Sequence, residues 1–313
     1  MRTAPEGLTD AAVAEAVTAH WGITSAAIEH LPVGFGSHHW ELTGTDGSRW
    51  FVTADRVAAD KHRLTALAAA LHTAYALEHR CGLAFVVAPT PGADHRLLAS
   101  VGDYALALYP YQERVGDGIA DDHQLITMVS KLHKISPALI GVTEEDDLEI
   151  ENRGLLESVL SGQRRGVGPY ADDFADLVGR AKPSIEESFA VHDQFRRRLR
   201  AERSSWVITH GEPKTNNTMI TAAGPVLIDW DTVRIGPAAR DVWMLPSAEE
   251  YAEVTGRSVP QDQLDHYHLT WDLKDLCSYT VWFAGDHERT ADTELGWQGC
   301  ELICQRLHRD FGG

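Results

Sequence analysis

Apolar and polar residues alternate with a period of two over much of the N-terminal part of the chain, and with a period near 3.6 over most of the rest. A helix is predicted over residues 8–20, with Thr9 as a candidate N-cap. The stretch IEHLPVGFGSHHWELTGTDGSRWFVTADR then predicts strand, glycine turn, strand, hairpin and strand, with TDGS as the hairpin turn. The Ala- and Leu-rich residues 60–79 predict a helix, and AFVVAPTP and YALALYPYQ predict two more strands. Beyond Gly118 the strand signal thins. LITMVSKLHKI, RGLLESVL, DDFADLVGRAKPSIEESFAVHDQFRRRL and LDHYHLTWDLKDLCSYTVWF all predict helices, interrupted by short strands in WVITH, TMITAA and PVLIDW. The expected fold class is therefore α+β: a mainly antiparallel β lobe over residues 1–112, a crossing segment near 108–112, and a larger helical lobe over residues 113–313.

The three short strands carry polar residues where apolar ones would pack best. VITHGEPKTNNTMI sets a histidine, an acid, a lysine and two asparagines between two apolar runs, and VLIDWDTV holds two acids in a strand-like frame. An acid, four residues and an asparagine make the loop used by phosphotransferases of the protein-kinase type. The acid, here Glu212, orients an acceptor hydroxyl and can take its proton, with His210 and Lys214 in the same loop. The asparagine, Asn217, turns its oxygen to a magnesium ion, and the hairpin that follows brings in a metal-binding aspartate, Asp229. Magnesium takes hard oxygen ligands, usually one or two carboxylates with phosphate oxygens and water.

HGEPKTNN followed by LIDWDTVRIGPAARDVW resembles the aminoglycoside phosphotransferase and choline kinase-like family. That family's pattern is His-Gly-Asp, four residues, Asn, then Ile-Asp-(Trp/Phe)-(Asp/Glu), then Gly-x-Pro-x-x-Asp. Glu-Pro after His-Gly, together with Asp-Trp-Asp-Thr-Val, is similar to its spectinomycin phosphotransferase-like branch. The resemblance implies a protein-kinase-like two-lobed fold and transfer of the γ-phosphate of ATP or GTP to a small-molecule hydroxyl. It also implies Glu212 as the catalytic acid, Asn217 and Asp229 as metal ligands, and His210 and Asp241 as supports of the loop. Asp231 is open to two readings, as a group near the acceptor or a second metal, or as a solvent-facing acid at a strand end.

VGFGSHHWEL lies where such a fold places its glycine-rich flap, so Gly34 and Gly36 bring backbone N–H groups to phosphates and Ser37 adds a donor. The third strand departs from the family. Its lysine position holds Thr53, and the helix that follows shows no early glutamate, which leaves Lys61 or Arg56 to supply positive charge unless both are surface residues. Tyr109 and Tyr111 fall in the hinge window, which also reads as an ordinary edge strand. On HLTWDLKDLCSYTVWF, Asp272 and Asp275 are three apart and share a helix face, with Trp271 and Trp282 close by. This is a candidate acceptor site for an amine-bearing sugar; the competing reading makes the aromatics core and one aspartate a surface residue.

Composition narrows the partners. The net charge of −18 argues against a nucleic-acid partner. No apolar run reaches membrane-spanning length, and the N-terminus shows no secretory h-region, so a cytoplasmic location is expected. Cys81, Cys277, Cys300 and Cys304 lack zinc-ribbon spacing and read as buried thiols. The expected activity is O-phosphorylation of an antibiotic such as an aminoglycoside or aminocyclitol, for resistance or in a biosynthetic step. The alternatives are a metabolic kinase for choline, ethanolamine or homoserine, and a nucleotide-binding pseudokinase that acts as a binding module.

Overall fold

The computed structural model describes residues 1–312 except 35, 59, 117 and 142. Its helices and strands divide between two compact units. The first comprises Met1–Asp146 and Trp206–Val259, and the second Asp147–Ser205 and Pro260–Gly313.

The first unit opens with helix α1 (Asp10–Trp21), capped by Thr9, whose side chain accepts the Ala12 N–H. Strands β1 (Ser25–Leu31), β2 (His38–Gly44) and β3 (Arg49–Arg56) follow, then α2 (Lys61–His79), β4 (Ala99–Val101) and β5 (Tyr104–Pro110). They form a five-stranded antiparallel sheet of order β1-β2-β3-β5-β4. Strict alternation sorts its two faces. Val52 and Ala54 of β3 join Trp40, Leu42, Leu106 and Leu108 under Val13 and Val17 of α1. The opposite face carries Ala105, Ala107 and Tyr109, packed with Leu67 and Leu71 of α2. Thr53 pairs with Ala107, and Asp55 with Ala105, so both belong to this second face.

Two details differ from the sequence reading. AFVVAPTP forms no strand; it makes a single parallel bridge, from Val86 to Leu227. Pro89 and Pro91 lack the N–H groups a ladder needs. The sheet is completed instead by β4, which at three residues is too short to show alternation.

The same unit contains α3 (Asp122–Leu132), β6 (Val207–Thr209), β7 (Thr218–Thr221), β8 (Gly224–Leu227), β9 (Arg234–Gly236), α6 (Ala239–Val242) and α7 (Ala248–Thr255). Strands β7 and β8 make a hairpin, and β6 pairs with β9. The acidic stretch TEEDD over residues 143–147 is held to β9. Its backbone bonds to Ile235 of β9, and Asp146 is buried beside Arg240.

The second unit is helical. It contains, in chain order, helices αA (Arg153–Leu160), αB (Ala171–Ala201), αC (Gln261–Phe283) and αD (Ala291–Phe311). Phe174, Ile185, Phe189, Leu276, Phe283 and Ile303 fill its core. Cys277, Cys300 and Cys304 belong to that core, and burial pushes the thiols of Cys277 and Cys304 up to about 12. Among the described residues no helix is long and apolar enough to cross a membrane.

Candidate functional site

The polar loop runs from the end of β6 to the start of β7, and its shape is set by buried partners. His210 is wholly buried. Its Nε2 lies 3.0 Å from the Ile228 carbonyl, and the Glu212 N–H approaches its Nδ1 at 3.2 Å. These partners fix a neutral ring with the proton on Nε2, and burial holds its pKa down at about 4. His210 therefore braces the loop from beneath. Asp241 of α6 accepts the N–H groups of His210 and Gly211 at 2.8 and 2.7 Å, and His133 at 3.0 Å. Burial alone would raise the Asp241 carboxyl, but the His133 hydrogen bond and the nearby positive charge outweigh it and hold it below the usual carboxylate range. Gly211 has φ +101°, and a Cβ there would lie 2.6 Å from the Arg240 guanidinium, so only glycine fits. Arg240 in turn donates to Thr209 Oγ1 and to the Thr232 carbonyl.

On this support the loop turns through Thr215–Asn217. Lys214 reaches back so that its Nζ is 2.7 Å from Glu212 Oε2. Asn217 donates its Nδ2 to the Glu212 carbonyl at 2.9 Å, which leaves Oδ1 as its acceptor atom. The hairpin end is tied to the loop through both sides of one residue: Ile228 donates its N–H to the Asn217 carbonyl at 2.9 Å, and its own carbonyl receives His210. Strand β8 stops at Leu227, and Asp229 adopts φ +72°, a left-handed conformation that aspartate tolerates better than most residues.

Asn217 and Asp229 thus come together with hard oxygen donors. Solvent reaches Asp229, yet burial raises its pKa to about 6, and Glu212 and Asp55 add to the shift. Asp231 is raised further by burial, then by Asp229, Asp55 and Glu212. Carboxylates crowded in this way are relieved by a cation, so the donor set fits magnesium. Among the described residues no group of three or more His, Cys, Asp or Glu side chains forms a closed metal cage.

The β-sheet side of the cleft is less conventional. Gly34 and Gly36 have φ +76° and +95°, and Phe35 between them lies outside the described residues. A Cβ on Gly34 would come within 2.8 Å of the His39 ring. Ser37 donates its hydroxyl to Asp55 Oδ1 at 2.6 Å. Thr53 has no lysine beside it on β3; its side chain contacts the Tyr109 phenol, which burial and then Asp231, Asp55 and Asp229 push well above the usual range. Lys61 opens α2 and is exposed. Arg56 does not fill the lysine position, because it lies on the other face of β3, near Asp103 and Glu6. Tyr111 is covered by the Arg49 guanidinium, 3.8 Å from the ring centroid. Asp55 escaped the sequence reading, although the alternation in RWFVTADR does place it on the face of Thr53.

Trp271, Asp272, Asp275 and Trp282 lie on αC of the second unit. Asp272 is buried and takes two bonds from Arg306, at 2.9 and 2.5 Å. Asp275 is half-buried and acts on the Tyr279 phenol, which burial first and then this charge push upward. Trp282 packs against the helical core. The expected carboxylate pair is therefore unequal, with Asp272 committed to an ion pair inside the unit.

Residues 27–276 match the sequence profile described as APH: Phosphotransferase enzyme family. Protein StrN of Streptomyces griseus is 28% identical over 232 residues, which cover 69% of this chain and 70% of that protein. The fold is similar to that of a spectinomycin phosphotransferase crystallised with ADP and spectinomycin, with a TM-score of 0.69 at 11% identity, covering 97% of this chain and 100% of the other. It is also similar to an amicoumacin kinase in complex with AMP-PNP and Ca2+, with a TM-score of 0.57 at 13% identity over 96% and 94% of the two chains.

Proposed function

This chain belongs to the APH phosphotransferase enzyme family, and we propose that it moves the γ-phosphate of ATP or GTP to a hydroxyl of an antibiotic. It is a small-molecule phosphotransferase with a hydroxyl acceptor; the antibiotic, the nucleotide and the magnesium ion are the proposed part. The observation that carries the reading is the joined loop and hairpin, in which Ile228 ties Asn217, His210 and Asp229 into one frame beside Glu212.

Glu212 accepts the proton of the acceptor hydroxyl as that oxygen bonds to the γ-phosphorus and the β–γ bridging bond breaks, releasing the nucleoside diphosphate. Lys214 holds and aims the Glu212 carboxylate. Asn217 and Asp229 would hold magnesium, which when bound neutralises charge on the phosphates. His210 and Asp241 keep the loop rigid. Residues 1–112, with the flap at Gly34–Ser37 and the hinge at 108–112, take the nucleotide; residues 113–313 carry the chemistry. Asp231 is assigned to an amine-bearing acceptor, and Asp275, Trp271 and Trp282 of αC are a candidate amine-binding set within the second unit. The antibiotic-modifying activities of the spectinomycin and amicoumacin enzymes support an antibiotic acceptor.

The test is phosphate transfer from ATP and from GTP, with magnesium, across a panel of aminoglycosides, aminocyclitols and macrolides, with choline and ethanolamine in parallel. Turnover of a sugar-containing antibiotic is expected. Turnover confined to choline or ethanolamine would replace this reading with a metabolic kinase.

A further inference from the structure

The cleft-facing side of β3 carries a buried carboxylate that none of the roles above uses. Asp55 is 9% exposed. Its cross-strand neighbour is Ala105, and that of Thr53 is Ala107, on the face that also carries Tyr109 and packs Leu67 and Leu71 of α2. The Ser37 hydroxyl donates to Asp55 Oδ1 at 2.6 Å, and Arg63, in the first turn of α2, lies within electrostatic range. Asp229 and Asp231 are like charges acting on the same cleft. A desolvated carboxylate among like charges destabilises a fold that an apolar residue would stabilise. Such local conflicts concentrate at functional sites.

Ser37 directly follows the turn that contains Gly34 and Gly36. Both glycines are left-handed, and nothing lies within 4 Å of where a Gly36 Cβ would be. Before Gly34, His39 Nδ1 bonds the Val33 carbonyl at 3.0 Å and the N-terminal amine donates to the same carbonyl; after Gly36, the N-terminal amine also donates to the Ser37 carbonyl and the Ser37 hydroxyl bonds Asp55. We infer that Asp55 is a positioning residue, anchoring Ser37 and, through it, the adjoining Gly36 to β3 at the edge of the nucleotide cleft. The inference rests on the nucleotide site proposed above. Its benefit is pre-organisation: a turn already fixed loses less freedom when phosphates bind to its backbone N–H groups.

Five variants test this in the full chain: Ser37→Ala, Asp55→Ala, Asp55→Asn, and Ser37→Ala combined with each Asp55 change. Hydrogen exchange of the amides of residues 34–39, without nucleotide, reads the anchor itself. Ser37→Ala and Asp55→Ala should speed that exchange, and Asp55→Asn, which keeps an oxygen for the Ser37 hydroxyl, should hold the parental rate. Calorimetric titration with ADP and Mg2+ reads its use. Ser37→Ala should weaken ADP about fivefold in the parent and in the Asp55→Asn background, the effect of one modest hydrogen bond. In the Asp55→Ala background it should have no effect, because the partner is already gone. The KM for the acceptor should stay within about twofold of the parent in all of them. Equal Ser37→Ala losses in the Asp55→Ala and parental backgrounds, or parental exchange rates in Ser37→Ala, would overturn the anchor. Accelerated exchange in Ser37→Ala and Asp55→Ala alongside a parent that binds no ADP would instead overturn the nucleotide site, and the positioning role with it.

Discussion

Lys214 sets its Nζ 2.7 Å from Oε2 of Glu212, so the group proposed to take the acceptor's proton is held by a cation two residues away. Both side chains are partly exposed, which screens the pair. Lys214→Ala is expected to lower kcat about tenfold, the equivalent of roughly 1.4 kcal/mol, because Glu212 loses its aim. Lys214→Arg should recover most of the loss. Steady-state kinetics check this, with the nucleotide KM expected within about twofold of the parent.

Asp241 satisfies three donors at once: the N–H groups of His210 and Gly211, and the His133 ring. Asp241→Asn would turn an amide N–H toward groups that are themselves donors. The expected loss is about 3–5 kcal/mol of unfolding free energy, the range for breaking a buried charged network. Urea unfolding measures it, and a shift under about 1 kcal/mol would show that the loop does not depend on this carboxylate.

Much of this loop was legible in the sequence because its chemistry restricts residue type: an acid, a metal-facing asparagine and a second acid leave few substitutes. The β-lobe was legible from alternation, except that three-residue β4 is too short to show it and AFVVAPTP, apolar enough for a strand, forms none. Asp272 and Asp275 illustrate the limit. Helical spacing places them on one face, but nothing local says that a helix more than 30 positions later presents Arg306 to one of them. Asp55 was hidden differently. Nothing in RWFVTADR itself marks the acid two residues beyond Thr53; its partner, Ser37, lies 18 positions earlier.

Asp229 should reveal itself in stability as well as in activity. Burial, then Glu212 and Asp55, raise its folded pKa to about 6 from an ordinary 3.8. Above pH 6 it is ionised in both states and its charge destabilises the fold. As pH falls through 6 the folded form takes up a proton and the penalty fades, until near 3.8 the unfolded form is protonated too. Asp229→Asn is therefore expected to raise Tm at pH 8 without magnesium, to lose that advantage between pH 6 and 4, and to be inactive. Thermal unfolding against pH checks the trend; a gain that grew with acidity would contradict it.

The two aspartates of αC should separate. Asp272 is buried and takes two bonds from the half-buried Arg306, so Asp272→Ala is expected to destabilise by about 2 kcal/mol through loss of these charged hydrogen bonds. Asp275→Asn should be mild for stability but raise the KM for a cationic acceptor well above any change in the nucleotide KM. Equal changes in both KM values would assign Asp275 to structure.

The most direct test is Glu212→Gln, which keeps the shape of the side chain and its bonds through the backbone but cannot accept a proton. Using the best acceptor from the antibiotic panel, γ-labelled nucleotide and magnesium, phosphate transfer and nucleotide affinity are measured for the parent and the variant. The expected result is unchanged affinity with kcat reduced by about 10²- to 10⁴-fold, the usual contribution of a positioned general base. Parental kcat in Glu212→Gln would contradict the role assigned to Glu212 and, with it, the proposed chemistry of the loop.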